Sequence, residues 1–199
     1  RFGSDKPDLR FGMELIDLTT ELKGTDFAPF ADVLAKGGEI KCIVVKGRAD
    51  YSRKQTDELQ EFVKRYGAGS LAWIKIPVRA GSDSDWAPAS SLLKVLGEEK
   101  IARLTEVSGA VEGDAVLIVA GKKSVVAAAL GALRNEVARR ENIIDRTKYK
   151  CLIVTEFPMF EHNDETDTYV AAHHPFTSSM DEDLDLFKTA VNDPSQHHL

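Results

Sequence analysis

Between residues 14 and 147 the sequence alternates short apolar runs with longer segments of helical periodicity. The strand-like runs are Glu39–Val45, 70–77 and 115–119, and they are rich in β-branched residues. Such residues favour strands, whereas apolar residues that recur every three or four positions favour a helix with one buried face. This alternation predicts an α+β fold, a two-layer domain with helices on one face of a mainly antiparallel sheet.

The strongest helix signal begins at Ser52. Gln55, three residues later, completes a capping box, and Gly67 is placed to end the helix in the left-handed conformation. The apolar residues at helical spacing behind this cap are Leu59, Phe62, Val63 and Tyr66. We expect this face to pack on the sheet.

A longer amphipathic helix is predicted from residue 124 to about residue 143. The residues of its expected buried stripe are Val125, Val126, Ala129, Leu130, Leu133 and Val137. Two short helices, 88–96 and 98–108, are predicted on either side of Gly97. A further short helix is predicted within 26–36, with Asp26 as its cap.

Both cysteines, Cys42 and Cys151, lie in apolar runs. We expect them to be small buried side chains in a reducing compartment, and 151–154 to be a strand that is partnered by a second strand near 169–172. No C-x-x-C spacing occurs, so a structural zinc site is not predicted.

The composition narrows the possible partners. The 199 residues carry a formal charge of −6, which argues against strong nonspecific binding of nucleic acid but leaves room for a local basic face. No run approaches the roughly 18 apolar residues that a membrane helix needs, so no membrane partner is expected.

Three polar groups are candidates for chemistry. His173 and His174 precede a proline, and a neutral imidazole there could bind a carboxylate or an amino group; the alternative is a loop with one histidine packed and one solvated. Ser4 and Lys6 could form a nucleophile–base pair, although a surface turn is the favoured interpretation. The carboxylates that could bind Mg²⁺, but that fit a solvated turn better, are Glu156, Glu161, Asp164, Glu165 and Asp167. No catalytic residue and no metal ligand is therefore assigned.

Basic residues at the two ends of the long helix are candidates for RNA contact. Lys122 and Lys123 precede its N-terminus, which favours phosphate, and Arg139 and Arg140 lie near its end. The alternative is a solvated helix face. No glycine-rich nucleotide-binding motif is present in the middle of the chain.

Several segments resemble one family when they are taken in order. Residues 1–10 (RFGSDKPDLR), 157–161 (FPMFE) and 173–177 (HHPFT) are similar to parts of the catalytic domain of bacterial-type, class II aspartyl-tRNA synthetases. Residues 52–54 (SRK), 66–68 (YGA) and 71–75 (LAWIK) resemble the large insert of those enzymes, the GAD domain.

The resemblance implies a division of the chain into three parts. Residues 1–13 and 148–199 would be flanks of the catalytic domain, and residues 14–147 would be the GAD insert. The insert would be structural, or would contact tRNA. In the family, ATP and L-aspartate form aspartyl-adenylate, and the aspartyl group then passes to tRNA.

The resemblance also implies partners and site residues. The parent enzyme would be a cytoplasmic homodimer that uses ATP, Mg²⁺, L-aspartate and tRNA, with His173 as an aspartate contact and His174 as its support. Because the class II signatures that grip ATP are missing, we expect the isolated chain to be inactive and to bind no cofactor of its own. The alternative function is a non-catalytic RNA-binding module that touches the acceptor arm of tRNA.

Overall fold

The computed structural model describes residues 1–79, 87–155, 158, 160–163, 166–172, 180–185 and 188. The chain divides into two compact units, Arg1–Cys151 and Leu152–Leu199. Within these described residues, the first unit contains a five-stranded sheet and four helices, and the second contains a two-stranded hairpin.

The first unit alternates strands and helices along the chain. Its elements are β1 (Ile16–Asp17), α1 (Ala28–Ala35), β2 (Glu39–Val45), α2 (Arg53–Lys64), β3 (Ala72–Lys75), β4 (Ala89–Ser90), α3 (Leu93–Ser108), β5 (Ala115–Gly121) and α4 (Lys123–Arg140). The strand order is β1-β2-β5-β3-β4, and every neighbouring pair is antiparallel. The predicted α+β class with an antiparallel sheet is confirmed.

Helices cover both faces of this sheet, so the expectation of two layers with helices on one face is wrong. Along β5, Leu117 and Val119 pack in one core with residues of α2 and α4, whereas Val116 and Ile118 pack in a second core with residues of α1 and α3. The physical reason is the uninterrupted apolar sequence of β5. A strand that is apolar on both sides needs cover on both sides.

Helix ends follow the predicted signals where these signals are local. The capping box of α2 is confirmed, with the Ser52 side chain accepting from the Gln55 backbone and the Gln55 side chain accepting in return. Gly97 has a φ of 77° and breaks α3, as predicted. Asp26 does not cap α1, because Phe27 occupies the cap position and Pro29 follows the first helical residue.

The two cysteines have different surroundings. Cys42 is buried in β2, as expected, but Cys151 is exposed. Residues 151–154 form no strand, and Ile153 is 89% exposed. An apolar run becomes a strand only where another strand pairs with it, and no described strand pairs with this one.

The second unit contains a short hairpin. β6 (Phe160–Asn163) pairs antiparallel with β7 (Thr168–Ala171), so the strand predicted near 169–172 exists and has β6 as its partner. A 3₁₀ turn covers Asp181–Asp183. No helix in the described part of the chain is both long enough and apolar enough to span a membrane.

Candidate functional site

The N-terminal segment, residues 1–15, packs along α4 through two glycines. A Cβ on Gly131 would lie 2.6 Å from the carbonyl oxygen of Gly3, and a Cβ on Gly3 would collide with the carbonyl oxygen of Ala127. Gly3 also has a φ of +72°, which favours glycine. The backbone of the segment therefore touches the backbone of the helix at this point.

Arg134 binds the other end of the segment. Its guanidinium donates from Nε to the carbonyl oxygen of Met13 at 3.0 Å, and from Nη2 to the carbonyl oxygens of Asp8 and Gly12 at 2.8 and 2.6 Å. The residue is 1% exposed, which is rare for a charged side chain. One side chain of α4 thus holds three carbonyls of the entering segment.

Two aromatic rings enclose the same guanidinium. Its central carbon lies 4.9 Å from the centre of the Phe2 ring and 4.7 Å from that of the Phe11 ring. Burial lowers the pKa of Arg134, whereas the charges of Asp8 and Glu14 raise it. A planar, weakly hydrated cation suits such a site because it can stack on rings and donate in its own plane.

The backbone that Arg134 holds is in an uncommon conformation. Gly12 and Met13 have φ values of +65° and +60°, so two consecutive residues are left-handed. For a residue with a side chain this conformation costs about 1–2 kcal/mol. Hydrogen bonds from Arg134 to both carbonyls stabilise the turn that this conformation creates.

The end of the N-terminal segment lies beside the residues that follow α4. Phe11 and Met13 line a cavity of about 730 Å³ together with Glu141 and Ile143, which follow α4. Glu141 is held there by Tyr51, whose hydroxyl donates to Glu141 Oε1 at 2.8 Å, and by an ion pair with Arg48. The end of the N-terminal segment and the residues that follow α4 therefore border one cavity.

The predicted RNA-contact residues do not form one patch. Lys122 and Lys123 lie at the N-terminal end of the 18-residue α4, and Arg139 and Arg140 lie at its C-terminal end. At 1.5 Å per residue the two pairs are roughly 25 Å apart. Lys123 forms a loose ion pair of 3.8 Å with Glu39.

The arginine pair is engaged with carboxylates. Arg139 and Arg140 both bind Glu136, at 2.9 and 2.7 Å, and Arg140 also binds Glu58 of α2 at 3.1 Å. The hydrogen bonds from Arg139 and then Arg140 hold the pKa of Glu136 below its usual range. These contacts link α4 to α2. They give both arginines a structural role that needs no bound ligand.

Other predicted site residues are not brought together by the described structure. His173 and His174 lie outside the described residues, and so do three of the five candidate carboxylates, Glu156, Asp164 and Glu165. Asp167 Oδ1 lies 3.1 Å from Nε2 of His162. Across the described residues, no group of three or more histidine, cysteine, aspartate or glutamate side chains is arranged to hold a metal ion.

Comparison with known proteins decides the family. The model of the GAD domain matches residues 30–130, which is just over half of the chain. The chain belongs to the GAD domain family. The match to this GAD domain runs from Phe30 in α1 to Leu130 in α4, so Gly131, Arg134 and the N-terminal segment lie outside it.

Nearly the whole chain, and not only its GAD domain, is similar to parts of longer proteins. It is 48% identical over 186 residues to the aspartate–tRNA(Asp/Asn) ligase of Heliobacterium modesticaldum, and 45% identical over 196 residues to the aspartate–tRNA ligase of Lysinibacillus sphaericus. These matches cover 94% and 98% of the chain but 30% and 32% of the relatives. The chain therefore spans about a third of the length of the curated relatives it matches.

Proposed function

We propose that this chain is part of an aspartate–tRNA ligase, which attaches L-aspartate to tRNA through aspartyl-adenylate. Similarity that runs across 94% of the chain, well beyond the GAD match at residues 30–130, supports this proposal. ATP, Mg²⁺, L-aspartate and tRNA would be the partners of the full-length enzyme, a cytoplasmic homodimer. His173 and His174 would lie beside the aspartate, as the resemblance implies.

Within that enzyme, we assign the GAD domain the role of a structural insert. The observation that carries this role is the shared position of the entering and leaving segments, where Phe11, Met13 and Ile143 line one cavity. A domain inserted into another must have its two ends close together, because otherwise it would separate the parts that flank it. Residues 1–13 and 148–199 would then belong to the host domain, and residues 14–147 to the insert.

The role of the insert is to brace the host domain, and the chain alone is expected to be inactive. Adenylate formation depends on cations positioned around the phosphates of ATP. The cations that the resemblance assigns to this task belong to class II signatures outside this sequence. Neither ATP nor Mg²⁺ is therefore expected to bind the isolated chain.

Exchange of labelled pyrophosphate into ATP tests this proposal. The full-length protein should catalyse exchange that depends on L-aspartate, and this chain at equal concentration should stay at background. Exchange by the chain alone would overturn the structural role. A full-length protein that uses another amino acid, or none, would overturn the assigned reaction.

A second candidate function is contact with tRNA at the start of α4. In the described structure no side chain caps this helix, and Lys122 and Lys123 are exposed beside its first-turn amides. Helix N-termini bind phosphate through such amides and the helix dipole. Arg139 and Arg140, at the C-terminal end of α4, are not part of this candidate site, because both already form ion pairs with Glu136.

A further inference from the structure

We propose that Arg134 is a positioning residue for the ligase reaction, because it fixes residues 1–13 in one place on the GAD domain. This inference rests on the proposed function, in which these residues belong to the domain that activates aspartate. Arg134 would touch neither ATP nor aspartate. It would act through the entering segment, whose backbone it holds.

The hydrogen bonds of Arg134 determine the conformation of a six-residue stretch. The three carbonyls that it binds belong to Asp8, Gly12 and Met13, so both ends of the stretch are tied to one planar group. A guanidinium donates in several fixed directions, whereas a lysine ammonium is a compact point charge. Arginine can therefore hold this arrangement of acceptors, and lysine can hold only part of it.

The segment is fixed on both sides of an exposed polar loop. Gly3 contacts Gly131 before the loop, and Arg134 binds the backbone after it. Between these anchors Ser4, Asp5 and Lys6 are exposed, and Ser4 Oγ accepts a hydrogen bond of 3.0 Å from the Lys6 amide. This exposed loop can face the rest of the ligase, and its position depends on the two anchors.

Core packing alone gives little reason for an arginine here. The neighbouring positions on the stripe, Leu130 and Val137, are fully buried apolar residues. Burying a cation removes its hydration, which costs several kcal/mol before its hydrogen bonds compensate. The specific gain from Arg134 is therefore the fixed geometry of the carbonyls.

Hydrogen exchange on this chain tests the anchor directly. In Arg134→Met, the amides of Gly12 and Leu15, which bond to Leu9 and Arg1, should exchange ~10-fold faster or more, while those of β2 and β5 stay protected. Arg134→Lys should fall between Met and wild type. The matched control is Arg103→Met, since Arg103 is an exposed arginine of α3 that pairs with Glu21 and Glu106.

Unchanged exchange at Gly12 and Leu15 in the Met variant would overturn the anchor. If Arg134→Met fails to fold, Arg134→Lys carries the test alone, because lysine keeps a positive charge but can hold only part of this arrangement of acceptors. Hydrogen-exchange protection of Gly12 and Leu15 in Arg134→Lys equal to wild type would then contradict the proposal.

Kinetics of the full-length ligase test the positioning role. Arg134→Met should lower kcat/KM for aspartate-dependent pyrophosphate exchange ~10-fold or more, because small displacements of a reacting geometry have large effects on rate. Arg134→Lys should recover part of this loss, and Arg103→Met should match wild type. Full enzymatic activity in Arg134→Met, combined with fast hydrogen exchange at Gly12 and Leu15, would overturn the positioning role. If the wild-type protein shows no aspartate-dependent pyrophosphate exchange, the proposed function is overturned. The anchoring of the segment by Arg134 is then judged from hydrogen exchange alone.

Discussion

The two cysteines should differ sharply in reactivity because only one of them reaches solvent. Burial, with a smaller effect of the Asp17 charge, raises the pKa of the Cys42 thiol to about 12, whereas Cys151 is exposed. Since the thiolate is the reactive species, we expect an aromatic disulfide reagent at pH 8 to titrate one thiol rapidly and the second only after unfolding. Two fast thiols in the native chain, or protection of both, would contradict this.

The contact between Gly3 and Gly131 should be sensitive to a single added methyl group. Gly131→Ala places its Cβ against backbone, which cannot rotate away, so we expect a loss of about 1–3 kcal/mol in the free energy of unfolding by urea. Gly69→Ala is the matched control, because nothing lies within 4 Å of its Cβ and its φ is not positive. Equal stability of the two variants would show that the close approach is absent in solution.

Arg134 shows what the sequence reveals about a residue and what it does not. Its position, four residues after Leu130 and three before Val137, places it on the buried stripe of α4. Charged side chains are rarely fully buried unless paired, so this pattern alone does not predict a buried arginine. Its partners are carbonyls as far as 126 residues away in the chain, so no local pattern could identify them.

At the scale of the element, the cap of α2 supports a direct measurement. Ser52→Ala removes the side-chain acceptor of the Gln55 amide, and such losses typically cost about 1 kcal/mol of stability. Ser124→Ala is the control, because Ser124 is exposed in the first turn of α4 and is not its cap. Thermal unfolding followed by circular dichroism should show a lower Tm for Ser52→Ala only.

The two ends of α4 should respond differently in a tRNA titration if the second candidate function holds. Changing Lys122 and Lys123 to glutamate should weaken binding of fluorescently labelled tRNA and reduce its salt dependence, because phosphate contacts release counterions. Changing Arg139 and Arg140 should have less effect on affinity, since these arginines already bind Glu136. Equal effects, or no binding at low salt, would remove the N-terminal pair as a candidate.

Elements with local signals were predicted well, and elements made by pairing were not. β2 and α2 carry their own alternation or cap, and their predicted positions are confirmed. β4 consists of two residues that are a strand only because β3 lies beside them. Residues 151–154 have the composition of a strand, but they have no described pairing partner and form no strand. The cover on both sides of β5 was recognisable from its unbroken apolar run, which we interpreted only as strand.

For the molecule as a whole, arginine–carboxylate pairs predict how stability depends on pH. Hydrogen bonds from Arg10 lower the pKa of Asp8, and those from Arg139 and Arg140 lower that of Glu136. A lowered pKa in the folded state means that the stabilisation is complete above the ordinary values of 3.8 and 4.5, and is lost as the pH falls through the folded values.

Urea unfolding between pH 3 and pH 7 measures this dependence. We expect a nearly constant midpoint at the upper end and a fall at the acid end, and the fall should be shallower in a variant that carries Asp8→Asn and Glu136→Gln. A midpoint that falls as steeply in the variant as in wild type would show that other carboxyls control the acid transition.

The register of the central strands determines the order in which the molecule can be made. β2 pairs with β5 through partners far apart in sequence, from Val45 with Ala115 to Glu39 with Gly121. During synthesis, the centre of the sheet therefore cannot form until β5 has emerged from the ribosome, and Arg134 emerges after β5. Until then the first thirteen residues have no anchor and are open to chaperones or proteases. Residues 1–13 thus precede β2 in synthesis but are fixed only after α4 has emerged.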